Sequence, residues 1–148
     1  LDLQFPAAKL LPHSATPFAR ARLVSDLVWC ASTLHPMVRQ NRNPQRFTQG
    51  DPAGVRADGQ QKFSVECDHI ASRLADRDWW HGAEWSIVDT YLYWAYSTAA
   101  KGGFPLTTYP SLLAHGERVR ARPAFQSVLA KERAAVERVK MPIDPATL

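Results

Sequence analysis

The chain offers few of the side-chain spacings that catalysis needs. Its five histidines are scattered, and HExxH, Ser/His/Asp spacing and a phosphate-cradling Gly loop are all absent. Cys30 and Cys67 lack CxxC or Cys/His spacing, so no metal site is expected and both read as inert buried thiols. His35 is the histidine that stands out, because Pro36 follows it inside a helical pattern. Proline removes an amide and restricts the residue before it, so a kink or restart is expected at His35. Pockets and backbone strain often collect at such a kink. A histidine there either faces a pocket or simply bonds a nearby carbonyl. Val38 and Arg42 share its helical face. The other chemically spaced pair is Ser86-x-x-Asp89, the layout of a helix N-terminal capping box with Asp replacing the usual Glu or Gln. Serine can accept from the third helical amide while the carboxylate reaches back to the serine amide. Both are otherwise orphan donors. Trp94 and Thr98 lie one turn apart on the helix so begun, facing a cleft or filling the core.

These residues need helices to hold them. Residues 1–15 form a Pro-punctuated connector, and Thr16-Pro17 is a cap followed by proline at the first helical position. Phe18, Ala21, Val24, Leu27, Val28, Ala31, Leu34 and Val38 then recur at three- and four-residue steps, which predicts one apolar face on a long helix. Residues 41–59 read as a loop or frayed helix start. A second helix follows, with Phe63, Cys67, Ile70 and Leu74 as its stripe. The central helix is predicted from Ile87 to Ala100, stopped by Gly102-Gly103. It carries no charge between Asp89 and Lys101, so burial on nearly every side is expected. Trp85 precedes the cap, but Thr90 holds the staple position, so only a weak packing contact is expected there. Pro110 and Pro123 each begin a further helix. Leu112, Leu113, Gly116 and Val119 line one; Phe125, Val128, Leu129 and Val136 line the other. The fold expected is all-α, a bundle of about five helices over residues 16–140, with an irregular tail over 141–148.

Composition narrows the function classes. At 148 residues, with 45% hydrophobic and 22% charged side chains, this is one globular domain. No apolar run is long enough to cross a membrane, and neither a signal peptide nor a membrane partner is expected. The net charge of +4 and the cluster Arg118, Arg120, Arg122 invite a nucleic-acid reading. Interspersed glutamates and the lack of interleaved aromatics favour a solvated helix face instead, with no nucleic-acid partner. Two isolated cysteines suit a reduced, cytoplasmic setting. The chain enters at Leu1 directly into a linker-like stretch, which suggests a piece of a longer polypeptide.

Three motifs in register resemble glutathione transferases, in their C-terminal helical domain. Trp80-x-Gly82 followed by Ser86-Ile87-Val88-Asp89 resembles the family's small loop and S-[IV]-A-D start of its buried central helix. Tyr109-Pro110-Ser111-Leu112 resembles its YP-x-L opening of the next helix, and Arg118-Val119-x-x-Arg122-Pro123 its RV-x-x-RP junction. Phe5-Pro6 and Leu10-Leu11-Pro12 resemble the linker leaving the family's first domain, so the likeness covers almost the whole chain. Val88 stands where the family prefers Ala. Leu34-His35 resembles the Leu-His pair of bacterial beta-class members, with Pro36 in place of their Lys.

The resemblance implies more than the residues alone. A missing N-terminal thioredoxin-like domain, joined through residues 1–15, would bind glutathione as co-substrate and supply the Ser, Tyr or Cys at its thiol. No other cofactor is implied. This domain would wall the pocket for a small hydrophobic electrophile, and support a homodimer. His35, Val38, Arg42, Trp94 and Thr98 are the expected pocket residues, while Ser86 and Asp89 are a structural cap. The full-length parent would be a cytoplasmic detoxification enzyme, and this chain alone would be inactive. The alternative is a non-catalytic transferase-like module for protein–protein docking.

Overall fold

The computed structural model describes residues 1–142, and the predicted tail from 143 onward lies outside the described residues. Six α-helices follow one another among the described residues: α1 (Pro17–Trp29), α2 (His35–Arg42), α3 (Pro52–Leu74), α4 (Ile87–Lys101), α5 (Pro110–Ala121) and α6 (Pro123–Val139). A five-residue π-helical stretch, Cys30–Leu34, joins α1 to α2, so the two form one rod and the bundle has five rods. No strand occurs among the described residues; a single bridge pairs Trp79 with Gly82.

Each helix starts where its sequence supplies a start. Thr16 accepts from the Ala19 amide at 3.1 Å, with Pro17 next. Asp51 accepts from Ala53 and Gly54 at 2.9 and 3.0 Å, with Pro52 next. Pro110 and Pro123 open α5 and α6. Of the loop or frayed helix start expected over 41–59, the Asp51 cap decides for a helix start: residues 52–59 are already helix, and regular. Gly59 inside it is there for packing. A Cβ at that position would sit 2.8 Å from the Gln40 Cβ, so α3 crosses α2 at contact distance.

Of the kink or restart expected at His35, the structure shows a restart, with α2 beginning there, but the expected distortion of His35 itself is corrected. His35 keeps φ −58° and ψ −47°, ordinary helical values, and its amide bonds the Cys30 carbonyl in the π turn. The wider turn lies directly upstream of Pro36, so the irregularity falls there and not at His35.

Helix α4 is the inner element, packed against α2, α5 and the π turn. Val88, Leu92, Ala95, Tyr96 and Ala99 are buried on it. Its other face is not: Tyr91, Tyr93, Trp94 and Thr98 remain half-buried. The expectation of burial on nearly every side therefore holds for half the helix only. Phe63, Cys67, Ile70 and Leu74 of α3 are all buried, as their spacing predicts. The first rod divides. Cys30, Leu34 and Val38 enter the core, but no residue of α1 is buried, and Phe18 and Val28 are 73% and 56% exposed. The face named from periodicity therefore reaches the core only at Leu34 and Val38, with Leu27 partly buried against it; Ala21, Val24 and Ala31 are exposed as well, and Leu23 and Trp29, outside that face, pack on the core instead.

Asn41 ties three helices. Its side chain, fully buried, donates to the Ala99 carbonyl at 2.6 Å and accepts from Gln60 at 2.9 Å. The connector is tied down as well: the Ile87 amide donates to the Leu10 carbonyl at 2.8 Å, and Leu11 is buried.

Candidate functional site

The start of α4 is fixed by one carboxylate. Asp89 is wholly buried and its two oxygens accept four hydrogen bonds. Oδ1 takes the Trp80 amide at 2.7 Å and His115 Nε2 at 3.1 Å. Oδ2 takes the Ser86 amide at 2.8 Å and the Ser86 hydroxyl at 2.9 Å. The capping box forms, and the Asp89 amide also bonds the Ser86 carbonyl at 3.1 Å. Burial pushes the Asp89 pKa up, but the bonds from His115, Trp80 and Ser86 outweigh it and hold the carboxyl below its ordinary value. Beyond His115, Nδ1 meets the Tyr96 hydroxyl at 2.9 Å. Burial raises the Tyr96 pKa, so the phenol keeps its proton and can donate to that nitrogen. The result is a closed buried chain, with no solvent-facing member among Ser86, Asp89, His115 and Tyr96.

Above this cap the loop 79–82 turns back on itself, with Gly82 at φ +120°, where a side chain would be strained. It seats Trp80 flat against Trp29, 5.2 Å between centroids, beneath the Arg73 guanidinium at 4.2 Å. Trp80 Nε1 donates to Asp26 at 2.8 Å. Its neighbour His81 has a buried Nε2 with no hydrogen-bond partner, 3.7 Å from the same carboxylate. Burial pushes the His81 pKa below its ordinary 6.5, against the pull of Asp26 and Asp89. A lowered folded pKa means that the unfolded chain takes up the proton first as pH falls. His81 thus favours folding above about pH 6.5, and that contribution fades as pH drops toward its folded pKa. Urea denaturation of wild type and His81→Phe should show a flatter dependence in the variant between about pH 7.5 and 5. Parallel curves would remove His81 as the source.

The half-buried face of α4 is where ligand chemistry is available. His35 packs against Trp94 at 4.4 Å, and Tyr91 lies edge-on to both. His35 Nδ1 and the Tyr91 hydroxyl are 3.0 Å apart. Burial raises the Tyr91 pKa, so its hydroxyl is the donor when the imidazole proton is on Nε2. On the same helix Trp94 and Thr98 line a groove of about 580 Å³ between α4 and α6. That is within the size range of small-molecule sites. Of the five expected pocket residues, the structure groups His35 with Trp94, and Trp94 with Thr98. Val38 faces inward, 1% exposed, and Arg42 is exposed in the last turn of α2.

Several side chains on this face had no sequence signal. Tyr91 needed a partner 56 residues away to acquire a role. Arg118, Arg120 and Arg122, expected on a solvated face, are instead half-buried. Arg118 lies 6.0 Å from the Trp79 ring and 3.8 Å from Asp78, Arg120 donates to the Tyr93 hydroxyl at 2.9 Å, and Arg122 covers Trp85 at 3.8 Å. Trp85 in turn donates to Thr90 at 3.2 Å, a hydrogen bond where a packing staple was expected to be weak. Cys30 and Cys67 are buried and free; burial raises both pKa values, that of Cys30 to about 12. They are poor nucleophiles.

The arrangement of rods is that of the C-terminal helical domain of glutathione transferases. The chain superposes on BphK, a bacterial glutathione transferase solved as a ternary complex, with TM-score 0.76 and 26% identity over 88% of this chain. It matches a beta-class glutathione transferase from Sphingomonas chungbukensis at 0.74 and 27%, and a sphingomonad enzyme complexed with glutathione at the same values, each again over 88% of this chain. In all three cases it spans 62% of the other chain's length. No family model matches the chain, and no curated protein matches it. Among the described residues no helix is long and apolar enough to cross a membrane.

Proposed function

We propose that this chain is the electrophile-binding, dimer-supporting domain of a glutathione transferase. The observation that carries the reading is the likeness over 88% of the chain to transferases at 26–27% identity. The His35–Trp94–Tyr91 cluster supports it, since an imidazole on a half-buried aromatic face suits a small hydrophobic co-substrate. Glutathione would be held by a thioredoxin-like domain upstream, where the thiol is also activated by a lowered pKa. The reaction is then thiolate attack on an electrophilic carbon, or a related exchange. The uncovered apolar residues of α1, Phe18 and Val28, suit a face against that domain or a second copy. The two buried cysteines suit a reducing cytoplasm, and small-electrophile conjugation suits detoxification. Docking alone is the weaker reading, because it gives no role to the His35 cluster.

The test is the gene product extended upstream of Leu1. It should conjugate glutathione to an electrophile, whereas residues 1–148 alone should neither do so nor bind immobilised glutathione. His35→Ala in the extended protein should change kcat/KM for at least one electrophile by about tenfold while Tm moves little. Unchanged efficiency across several electrophiles would return His35 to a structural role, and an upstream segment without a thioredoxin-like fold would support docking.

A further inference from the structure

The groove between α4 and α6 has a charge pattern that its apolar walls do not explain. Trp94, Tyr93, Phe125 and Val128 supply ring and aliphatic surface, with Tyr93 and Phe125 edge-to-face at 5.2 Å. Three cations, Lys101, Arg120 and Arg122, line it against one carboxylate, Glu132. Arg120 spends one guanidinium nitrogen on a neutral phenol, and Arg122 lies over an indole. Among the described residues neither guanidinium forms an ion pair with a carboxylate, although Glu117 acts on Arg120 at longer range. Two half-buried guanidiniums beside an aromatic groove retain donors for one planar anion.

We propose that this groove binds a planar aromatic acid, its ring against Trp94 and Phe125 and its carboxylate on Arg120 and Arg122. The inference rests on the electrophile-binding reading of the same face, and it names the ligand class: aromatic compounds bearing an anionic group. Guanidinium–carboxylate pairing is charge-assisted and can be bidentate, so the acid is distinguished from an isosteric neutral amide. The stacked Arg122 is already positioned by Trp85, which lowers the ordering cost of binding.

The probes are a naphthoate and the naphthamide of the same substitution pattern, titrated into the chain with tryptophan emission as the readout. Trp85 and Trp94 both line the groove and report occupancy. The naphthoate should bind at least about tenfold more tightly at low salt, and the gap should narrow as salt rises. Arg120→Gln and Arg122→Gln should each bring the naphthoate close to the naphthamide, whose affinity stays unchanged. Arg122→Lys, retaining charge without the planar fork, should fall between. Equal affinity for acid and amide overturns the proposal, as for a groove shaped to hold an apolar protein segment. Failure of both probes to bind, or Gln variants that keep the acid preference, overturns it equally. Absence of glutathione conjugation by the extended protein alongside a clear acid preference would fault the transferase reading and leave the acid site standing.

Discussion

Asp89→Ala is expected to destabilise the fold by about 3–5 kcal/mol, the range for removing one partner from a buried charged network. The capping box alone would predict about 1–2 kcal/mol, the ordinary value of an N-cap. The difference lies in the two bonds that reach outside the box. Losing the carboxylate strands not only the Ser86 amide and hydroxyl but also the Trp80 amide and His115 Nε2, all buried. Each buried donor left without a partner costs about 1–3 kcal/mol, reduced wherever water can enter. Ser86→Ala removes a hydroxyl and leaves the remaining three bonds, so about 1–2 kcal/mol is expected from it. The double variant should be no worse than Asp89→Ala plus a small remainder, since the hydroxyl bond belongs to both residues. Equal losses in the two single variants would show that the outer bonds contribute nothing. The lowered pKa of Asp89 adds a pH signature. Its stabilising effect is present above the unfolded value of about 3.9 and is lost as pH falls through the folded value. Wild type should therefore lose stability on acidification more steeply than Asp89→Ala in that acid window.

Trp80→Ala should cost about 3–5 kcal/mol, as for other buried large aromatics. Trp80 is 2% exposed and ties its loop to two helices: from α1, Trp29 stacks on it and Asp26 accepts from its indole; from α3, His69 meets its edge and Arg73 covers it. Trp80→Phe separates these terms. Phenylalanine retains most of the apolar contact but leaves the Asp26 carboxylate, partly exposed, without that donor. About 1–2 kcal/mol is expected, with water replacing part of the lost bond. Thermal denaturation of both variants checks the ordering. If Trp80→Phe were as harmful as Trp80→Ala, the hydrogen bond rather than the stack would hold this loop.

Most of the helical framework was legible in the sequence. Prolines at 17, 110 and 123 stand at helix starts, and the α3 stripe is buried at every position named for it. These signals are local: a cap or a three-and-four spacing acts within one turn or along one helix. The Ser86/Asp89 box belongs to the same class, and so did the likeness to the transferase helical domain. The places where the sequence fell short all required knowing what lies across a helix interface. The helix start at Pro52 stayed undecided against a loop because Gly54 and Gly59 suggested one, whereas Gly59 in fact admits Gln40.

The tertiary structure alone decided three things. It linked Asp89 to Trp80 and to His115, 9 and 26 residues away, turning a local cap into the anchor of a loop and a neighbouring helix. It turned Leu23, Leu27 and Trp29 of the first rod onto the core and left Phe18, Val24 and Val28 uncovered, because an apolar face specifies burial but not its partner. It also drew Arg122 onto the Trp85 ring and Arg120 onto the Tyr93 hydroxyl, since a guanidinium is weakly hydrated enough to lie on apolar surface that composition would assign to solvent. Sequence determined which segments are helical because backbone hydrogen bonds and caps are satisfied locally. Which side chains meet in the groove followed from the crossing of α4, α5 and α6, a matter of packing between segments that no local pattern encodes.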